Sequence, residues 1–251
     1  MIDYADLMAK AERLRKKFDE DNNSPIDIFS FVQRIEKLTI VFYPMSSNLS
    51  GMCIKGTAGR CTIALNSTMT LGRQRFSLAH ELYHLFYDNN MVTVCSKTVG
   101  NSDETEKKAD AFAAYFLMPR AALAETTDRL LGKHKGGLTI QDIIRIEQYF
   151  GVSHQTAVYQ LYNCGYIDKN ELNELLNTTV RKQAEAMGFY SGLYRPLPVE
   201  KQYCTYGYYI EQVEQLYKSE KISDGKYEEL LLEAFRDDLV YGTEEAGEII
   251  D

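Results

Sequence analysis

Two histidines four residues apart constrain this chain more than any other feature of its sequence. They belong to the pentapeptide His80-Glu81-Leu82-Tyr83-His84. On a helix, residues at i and i+4 share a face, with side-chain origins about 6 Å apart. Both imidazoles can then bind one metal ion at about 2.0–2.1 Å. Glu81 projects about 100° further round the helix, where it cannot complete the ligand set but can reach a water molecule at the metal.

The residues around this pentapeptide predict a buried helix. Residues 73–79 lead into it without a proline or a glycine, and Leu82, Leu85 and Phe86 continue an apolar side at helical spacing. The turn-forming residues 88–90 then end the helix. Buried histidines need polar partners, and a single metal ion would satisfy both of them.

A metal that keeps a position open for water also needs a third protein ligand, and we predict Glu106. A helix capped by Ser102 and ending near Leu117, before Pro119, places Glu106 and Asp110 on one face among apolar and small residues. Acids on such a face are out of place unless something there needs charge; the alternative is a solvated face. Asp110 is suited to accept the free ring N–H of a metal-bound histidine.

Two longer stretches resemble the ImmA/IrrE family of intracellular metallopeptidases. The first is RFSLAHE at residues 75–81, and the second is EKKADAFA at residues 106–113, followed by Leu117-Met118-Pro119. The second stretch is also similar to the wider gluzincin pattern, in which a glutamate four residues before an aspartate completes a zinc site. The similarity spans roughly residues 1–170.

The resemblance implies a zincin-like fold with a zinc site on three side chains and one catalytic base. The implied ligands are His80, His84 and Glu106, and the implied base is Glu81. At position 83, where the family usually has a small residue, this chain has Tyr83. That departure concerns the packing beneath the site and leaves its chemistry unchanged.

Composition predicts a soluble globular protein in the cytoplasm. The 251 residues are 45% apolar and 25% charged, which are ordinary values for a folded protein. No apolar run approaches the roughly 18 residues of a membrane span, and the acidic start is unlike a signal peptide. The five cysteines form an odd, scattered set without a CxxC pair, which favours reduced thiols.

Negative charge is concentrated towards the C-terminal end. Residues 178–251 contain eight Lys and Arg against fifteen Asp and Glu, a net charge of −7, whereas residues 1–177 carry −1. A near-neutral body with an acidic end is not typical of a protein that contacts nucleic-acid phosphates.

These patterns together predict an α+β fold, mostly helical, in three sections. Residues 1–133 are predicted to form a zincin-like metallopeptidase domain with a small β-sheet. Residues 134–177 are predicted to form a helix–turn–helix-like segment, and residues 178–251 an acidic, Tyr-rich helical C-terminal region.

The small sheet is predicted ahead of the histidine helix. Leu38–Tyr43 is β-branched and aromatic, and residues 52–54 and 61–65 flank a glycine turn as a hairpin. One edge of such a sheet can pair with a peptide substrate as an added strand; the alternative is that the strands only cover the core. Before the sheet, Ser24 is the predicted cap of a short helix.

The second section has the pattern of two helices joined by a tight turn. Thr139 caps the first helix, Gly151 ends it, and Ser153 caps the second. The second helix, His154–Asn163, contains no Lys or Arg, whereas helices that read DNA carry cations and amides. The pattern favours a scaffold or protein-docking role, and the loop at residues 133–137 is interpreted as a mobile connector.

The third section contains six tyrosines between residues 190 and 209. Such aromatics suit a protein-recognition surface. Tyr206, Tyr209 and Val213 nevertheless follow helical spacing, which favours core packing. A final helix is predicted to begin near Ser223, and residues 242–251 are acidic and predicted to fray.

The site and the resemblance together predict a cytosolic zinc endopeptidase, although manganese or iron would also suit two histidines and a glutamate. No residue stands out as oxyanion donor; His134, His154 and several tyrosines are candidates.

The resemblance implies an XRE-type helix–turn–helix repressor as substrate, cleaved to relieve repression in a mobile element or a stress response. Two alternatives stay open. One is a regulator that binds DNA through residues 138–166 and has a structural metal, and the other is a toxin-like partner of an antitoxin repressor.

Overall fold

A computed structural model describes residues 2–96, 104–132 and 137–242 of the chain. Helices dominate these ranges, so the prediction of a mostly helical α+β fold is confirmed. None of the helices described is long and apolar enough to span a membrane. They are α1 (Tyr4–Lys17), α2 (Ile28–Gln33), α3 (Leu71–Tyr87), α4 (Glu104–Leu117), α5 (Arg120–Leu131), α6 (Ile140–Phe150), α7 (His154–Asn163), α8 (Lys169–Leu176), α9 (Arg181–Ala186), α10 (Tyr208–Lys218), α11 (Asp224–Glu233) and α12 (Asp237–Tyr241). The predicted cap Ser102, residues 133–136 of the predicted connector and the tail beyond Gly242 lie outside the described residues.

In the described part of the chain, five strands form one mixed sheet in the spatial order β4-β2-β3-β1-β5. The strands are β1 (Leu38–Tyr43), β2 (Leu49–Lys55), β3 (Cys61–Asn66), β4 (Val92–Ser96) and β5 (Cys204–Gly207). β1 and β3 are parallel, and the other neighbouring pairs are antiparallel. The predicted hairpin is confirmed as β2 and β3, whereas the two edge strands are not apparent from the sequence.

The core lies between the sheet and α3, which also packs against α4. Ile63 of β3, Leu78 and Leu82 of α3, and Phe112 of α4 are fully buried. Burying a side chain of this size stabilises the fold by about 1.5–3 kcal/mol. Because Leu78 and Leu82 fix one side of α3 in the core, the rotation of the helix that carries the histidines is fixed as well.

Arg15 of α1 holds the end of α4 although it is charged and fully buried. Its Nη1 donates to the carbonyl of Phe116 at 2.7 Å, and its Nε and Nη2 donate to the carbonyls of Asp21 and Ser24 at 2.6 and 2.7 Å. These bonds satisfy the guanidinium inside the protein. Arg15 thereby ties α4, the helix that carries Glu106, to α1.

The cap predicted for α2 is wrong. Asp27 caps this helix, since its side chain accepts a hydrogen bond from the backbone N–H of Phe29. Ser24 instead donates its hydroxyl to Asp21 and gives its carbonyl to Arg15. Ser24, which the local pattern predicts as the cap, is therefore held by Asp21 and by Arg15 of α1, and it does not cap α2.

The second section folds as predicted around its turn. Thr139 caps α6 in a reciprocal arrangement with Asp142, Gly151 adopts a left-handed conformation with φ of 64°, and Ser153 caps α7. Glycine adopts this conformation without the penalty that a Cβ would bring.

His154 joins α6, α7 and α8. Its Nδ1 lies 2.5 Å from Oε1 of the buried Glu147, and its Nε2 lies 2.8 Å from the carbonyl oxygen of Leu175. Tyr194 donates to the other oxygen of Glu147 at 2.7 Å. With both ring nitrogens engaged, His154 has none left for an oxyanion, and the other histidine candidate, His134, lies outside the described residues.

The third section joins the sheet through β5. Tyr206 pairs with Ile40 of β1, and its ring meets Phe42 edge-on at 6.0 Å. The prediction that Tyr206 shares a helix with Tyr209 and Val213 is therefore wrong. Gly207, with φ of 84°, ends the strand, and α10 begins only after it. Ser223 caps α11 as predicted, but the shorter α12 follows it. The boundaries of the three sections stay a prediction.

Candidate metal centre

The helix α3 contains the whole pentapeptide and directs its two histidines at one point. The Nε2 atoms of His80 and His84 lie 3.2 Å apart. Both side chains are buried, with 8% and 1% of their surface exposed. The i and i+4 spacing therefore does bring the two ring nitrogens together.

Glu106 reaches the same point from α4. Its Oε2 lies 3.2 Å from Nε2 of His80, and its Oε1 lies 3.3 Å from Nε2 of His84. Four ligands held about 2.0–2.1 Å from a zinc ion in a tetrahedron lie about 3.3–3.4 Å from one another. The three side chains predicted as ligands are thus placed at the separations that one metal ion requires.

A carboxylate lies behind each histidine. Asp110 Oδ1 is 2.9 Å from Nδ1 of His80, and Asp88 Oδ2 is 2.9 Å from Nδ1 of His84. The sequence predicts Asp110 in this position, whereas it predicts Asp88 only as a residue that ends the helix. The signal that would have identified Asp88 is its spacing, one turn after His84.

This pairing tests whether a metal fits. An imidazole that donates its Nδ1 proton to a carboxylate presents a bare lone pair at Nε2 when it is neutral. Two such lone pairs 3.2 Å apart, with a carboxylate beside them, repel one another unless a cation lies between them. The donor set therefore fits a divalent metal ion.

The pKa values of His80 and Glu106 reflect how closely imidazoles and carboxylates approach one another here. Burial acts against the charged form of His80, but hydrogen bonds to Asp110 and Cys95 outweigh it and raise its pKa well above the usual value. Hydrogen bonds from the two imidazoles hold the pKa of Glu106 well below its usual range.

Glu81 lies beside this cluster in a different environment. Its side chain is completely buried, and neither carboxylate oxygen has a hydrogen-bond partner among the described residues. Burial raises its pKa. Gly51 of β2 is packed against it, since a Cβ at that position would lie 3.0 Å from Oε1. A buried, unpaired carboxylate of raised pKa is suited to accept and return a proton.

Cys95 of β4 is the member of the cluster that sequence reasoning missed. Its thiol and one donor atom each of His80, His84 and Glu106 all lie within 4.8 Å of one another. The sequence alone predicts five reduced thiols and gives Cys95 no special place among them. Nothing local marks Cys95, because its position depends on the pairing of β4 with β2, a contact between distant parts of the chain.

Tyr83 packs beneath the site, as its departure from the family pattern suggests. Its ring centroid lies 5.7 Å from that of Phe112 and 5.8 Å from that of Tyr87, and only 4% of the residue is exposed. Tyr83 also contacts His84 edge-on at 5.9 Å. The larger residue thus fills space between α3 and α4 below the histidines.

Comparison with known families agrees with this geometry. A family model described as the IrrE N-terminal-like domain, Peptidase_M78, matches residues 37–162. No match to a curated protein was found. The matched range includes α3, β4 and α4, confirms the resemblance to the ImmA/IrrE family, and indicates a metallopeptidase. Since this range is just over half of the chain, the protein belongs to the Peptidase_M78 family, whose domain is IrrE N-terminal-like.

Proposed function

We propose that this protein is a zinc-dependent endopeptidase of the cytoplasm. The observation that carries the proposal is the convergence of His80, His84 and Glu106 beside the buried, unpaired Glu81. Two histidines and a glutamate are among the donor sets that hold catalytic zinc. All five cysteines are free, which suits a reducing compartment.

When bound at this site, a zinc ion would lower the pKa of a water molecule towards about 7 and polarise the carbonyl of the scissile peptide bond. Glu81 then acts as the base that takes the proton from the attacking water. Because burial raises its pKa, Glu81 can hold that proton and deliver it to the leaving amine. Asp88 and Asp110 keep the two imidazoles oriented towards the centre.

The sheet offers a place for an extended substrate. β4 is an edge strand that, within the described residues, pairs only with β2. Val92 and Val94 expose 58% and 53% of their surface, and Cys95 on the same strand lies in the metal cluster. A peptide added to the edge of β4 that faces away from β2 would bring its backbone past the centre. This supports a protein substrate.

For the substrate itself we propose an XRE-type helix–turn–helix repressor, cleaved so that repression is relieved. This choice follows from the family resemblance. The residues of the site do not select a sequence, so a purified repressor from a gene next to this one is the substrate to test.

The test compares the zinc-loaded wild type with Glu81→Gln on that repressor. Glu81→Gln keeps the shape of the side chain but removes the proton acceptor, so cleavage should fall by at least about 100-fold while metal content and folding are retained. Glu125→Gln, the same change at an exposed position of α5, should cleave at the wild-type rate.

The outcome also separates the proposal from its alternatives. If Glu81→Gln cleaves the repressor as fast as the wild type, the assignment of the base is wrong. If neither protein cleaves it but both relieve repression in cells, the chain acts by binding, as a regulator or a toxin-like partner would.

A further inference from the structure

The cluster contains one more donor than an open catalytic centre needs. Cys95 lies in β4 opposite Gly51 of β2, and its residue is 1% exposed. The hydroxyl of Ser50 donates to the Cys95 carbonyl at 3.2 Å, which fixes the strand at this residue. Gly51 has no side chain and lies against Glu81, so the thiol has space to enter the site beside that carboxylate.

The thiol is within reach of the same point as the other donors. Its sulfur and the ligand atoms of His80, His84 and Glu106 lie within 4.8 Å of one another. A second observation marks the same place. Glu81 packs against Gly51, the residue opposite Cys95, and it is buried with no geometric hydrogen bond to either of its oxygens among the described residues. Two imidazoles, a carboxylate and a thiol make a complete tetrahedral set.

We propose that Cys95 supplies the fourth ligand of the resting metal centre and closes it to water. The inference rests on the metal site of the proposed function and adds a regulatory residue to it. A thiol that binds a divalent metal does so as thiolate. Four protein ligands make a closed site, whereas hydrolysis needs a free position. For hydrolysis Cys95 would have to leave this position and take up a proton from solvent, so that a water molecule could bind in its place.

The test uses the full-length protein loaded with cobalt(II), which binds the same kinds of donors and reports on them by absorption. A thiolate ligand gives a sulfur-to-cobalt charge-transfer band in the near ultraviolet. We expect this band in the wild type and its loss in Cys95→Ala, with cobalt still bound through His80, His84 and Glu106. Cys53→Ala is the matched control, since Cys53 is an equally buried cysteine of β2, and it should keep the band.

Metal affinity gives a readout that does not depend on the spectrum. In competition with a chelator, Cys95→Ala should bind zinc at least about tenfold more weakly than the wild type. Removing a residue that only hydrogen-bonds to a metal ligand already weakens binding by about tenfold or more. Cys53→Ala should bind as the wild type does. If zinc binds with equal affinity to wild type and Cys95→Ala, or if wild-type protein with bound cobalt lacks the band, the inference is wrong.

Peptide cleavage then distinguishes this inference from the proposed function. At saturating zinc, Cys95→Ala should cleave the repressor faster than the wild type does, because the fourth position of its metal is already free. A wild type that shows the cobalt band but never cleaves would support Cys95 as a ligand and contradict the peptidase. A wild type that cleaves at full rate but lacks the band would support the peptidase and contradict Cys95 as a ligand.

Discussion

The Oδ2 atom of Asp88 lies 2.9 Å from Nδ1 of His84, across one turn at the end of α3. Asp110 of α4 lies at the same distance behind His80. Each histidine is thus contacted by a carboxylate at the ring nitrogen that faces away from the centre. One carboxylate comes from the residue that follows α3, and the other comes from α4. Such partners fix the tautomer and the orientation of a metal-binding ring.

Replacing Asp88 should weaken metal binding although the three proposed ligands stay in place. In Asp88→Ala the His84 ring loses the acceptor that orients it, and zinc affinity should fall by about 10- to 100-fold. Competition with a chelator measures this, and Asp128→Ala, at an exposed position of α5, is the control. Wild-type affinity in Asp88→Ala would show that packing alone orients His84.

Glu106 is the ligand whose removal should abolish stoichiometric metal. Purified wild type should carry about one divalent ion per chain, and Glu106→Ala should lose most of it, because the site loses a negatively charged ligand. Glu104→Ala serves as control, since Glu104 is exposed and paired with Lys108 at 2.8 Å. Elemental analysis that finds undiminished metal in Glu106→Ala would remove Glu106 from the ligand set.

Sequence could predict those parts of the site that depend on one helix. The spacing of His80 and His84 is a property of α3, and that of Glu106 and Asp110 a property of α4, so helical periodicity brings each pair to one face. The turn at Gly151 is local in the same way, since its glycine and its caps lie close together in the chain. Such features follow from short-range geometry.

What the sequence could not provide depends on contacts between distant residues. Cys95 enters the cluster only because β4 pairs with β2, and Tyr206 lies in a strand only because β5 pairs with β1. Arg15 of α1 binds the carbonyl of Ser24, the residue predicted as the cap of α2, and another of its three hydrogen bonds reaches Phe116, 101 residues away. Tertiary partners decide such positions, and local propensity does not record them.

Arg15 should be among the most sensitive positions for stability. Arg15→Met keeps the apolar length of the side chain but removes three charged hydrogen bonds and leaves buried carbonyls without a donor. Hydrogen bonds to charged groups contribute about 1.5–3 kcal/mol each, so unfolding in urea should show a loss of at least about 3 kcal/mol. Arg13→Met, on the exposed side of α1, should stay within about 0.5 kcal/mol of wild type. An equally small loss in Arg15→Met would contradict this account.

His154 should make stability depend on pH. Burial opposes its charge, but hydrogen bonds to Glu147 and to the Leu175 carbonyl outweigh it and raise its pKa above the usual value. A raised pKa in the folded state means that the stabilisation is complete below the unfolded value of about 6.5 and is lost as pH rises through the folded value. His154→Gln should therefore cost more stability at about pH 6 than at about pH 9, with a loss of at least about 1.5 kcal/mol at the lower pH.

Urea unfolding of wild type and His154→Gln in the presence of a chelator measures this difference. His80 and His84 titrate in both proteins without metal, so their contributions cancel in the comparison. Equal losses at the two pH values would show that His154 contributes through packing and not through its charge.

Binding of this protein to duplex DNA should be no better than non-specific. The exposed residues of α7 are Gln155, Tyr159, Tyr162 and Asn163, so the helix that would enter a groove presents no cation. The chain as a whole carries a net charge of −8, which opposes approach to phosphates. Fluorescence anisotropy at physiological salt should give dissociation constants no tighter than about 10⁻⁶ M for any duplex, including the repressor's own operator. Tighter binding that depends on sequence would instead favour the transcription-regulator alternative, with α6 and α7 as its reading unit.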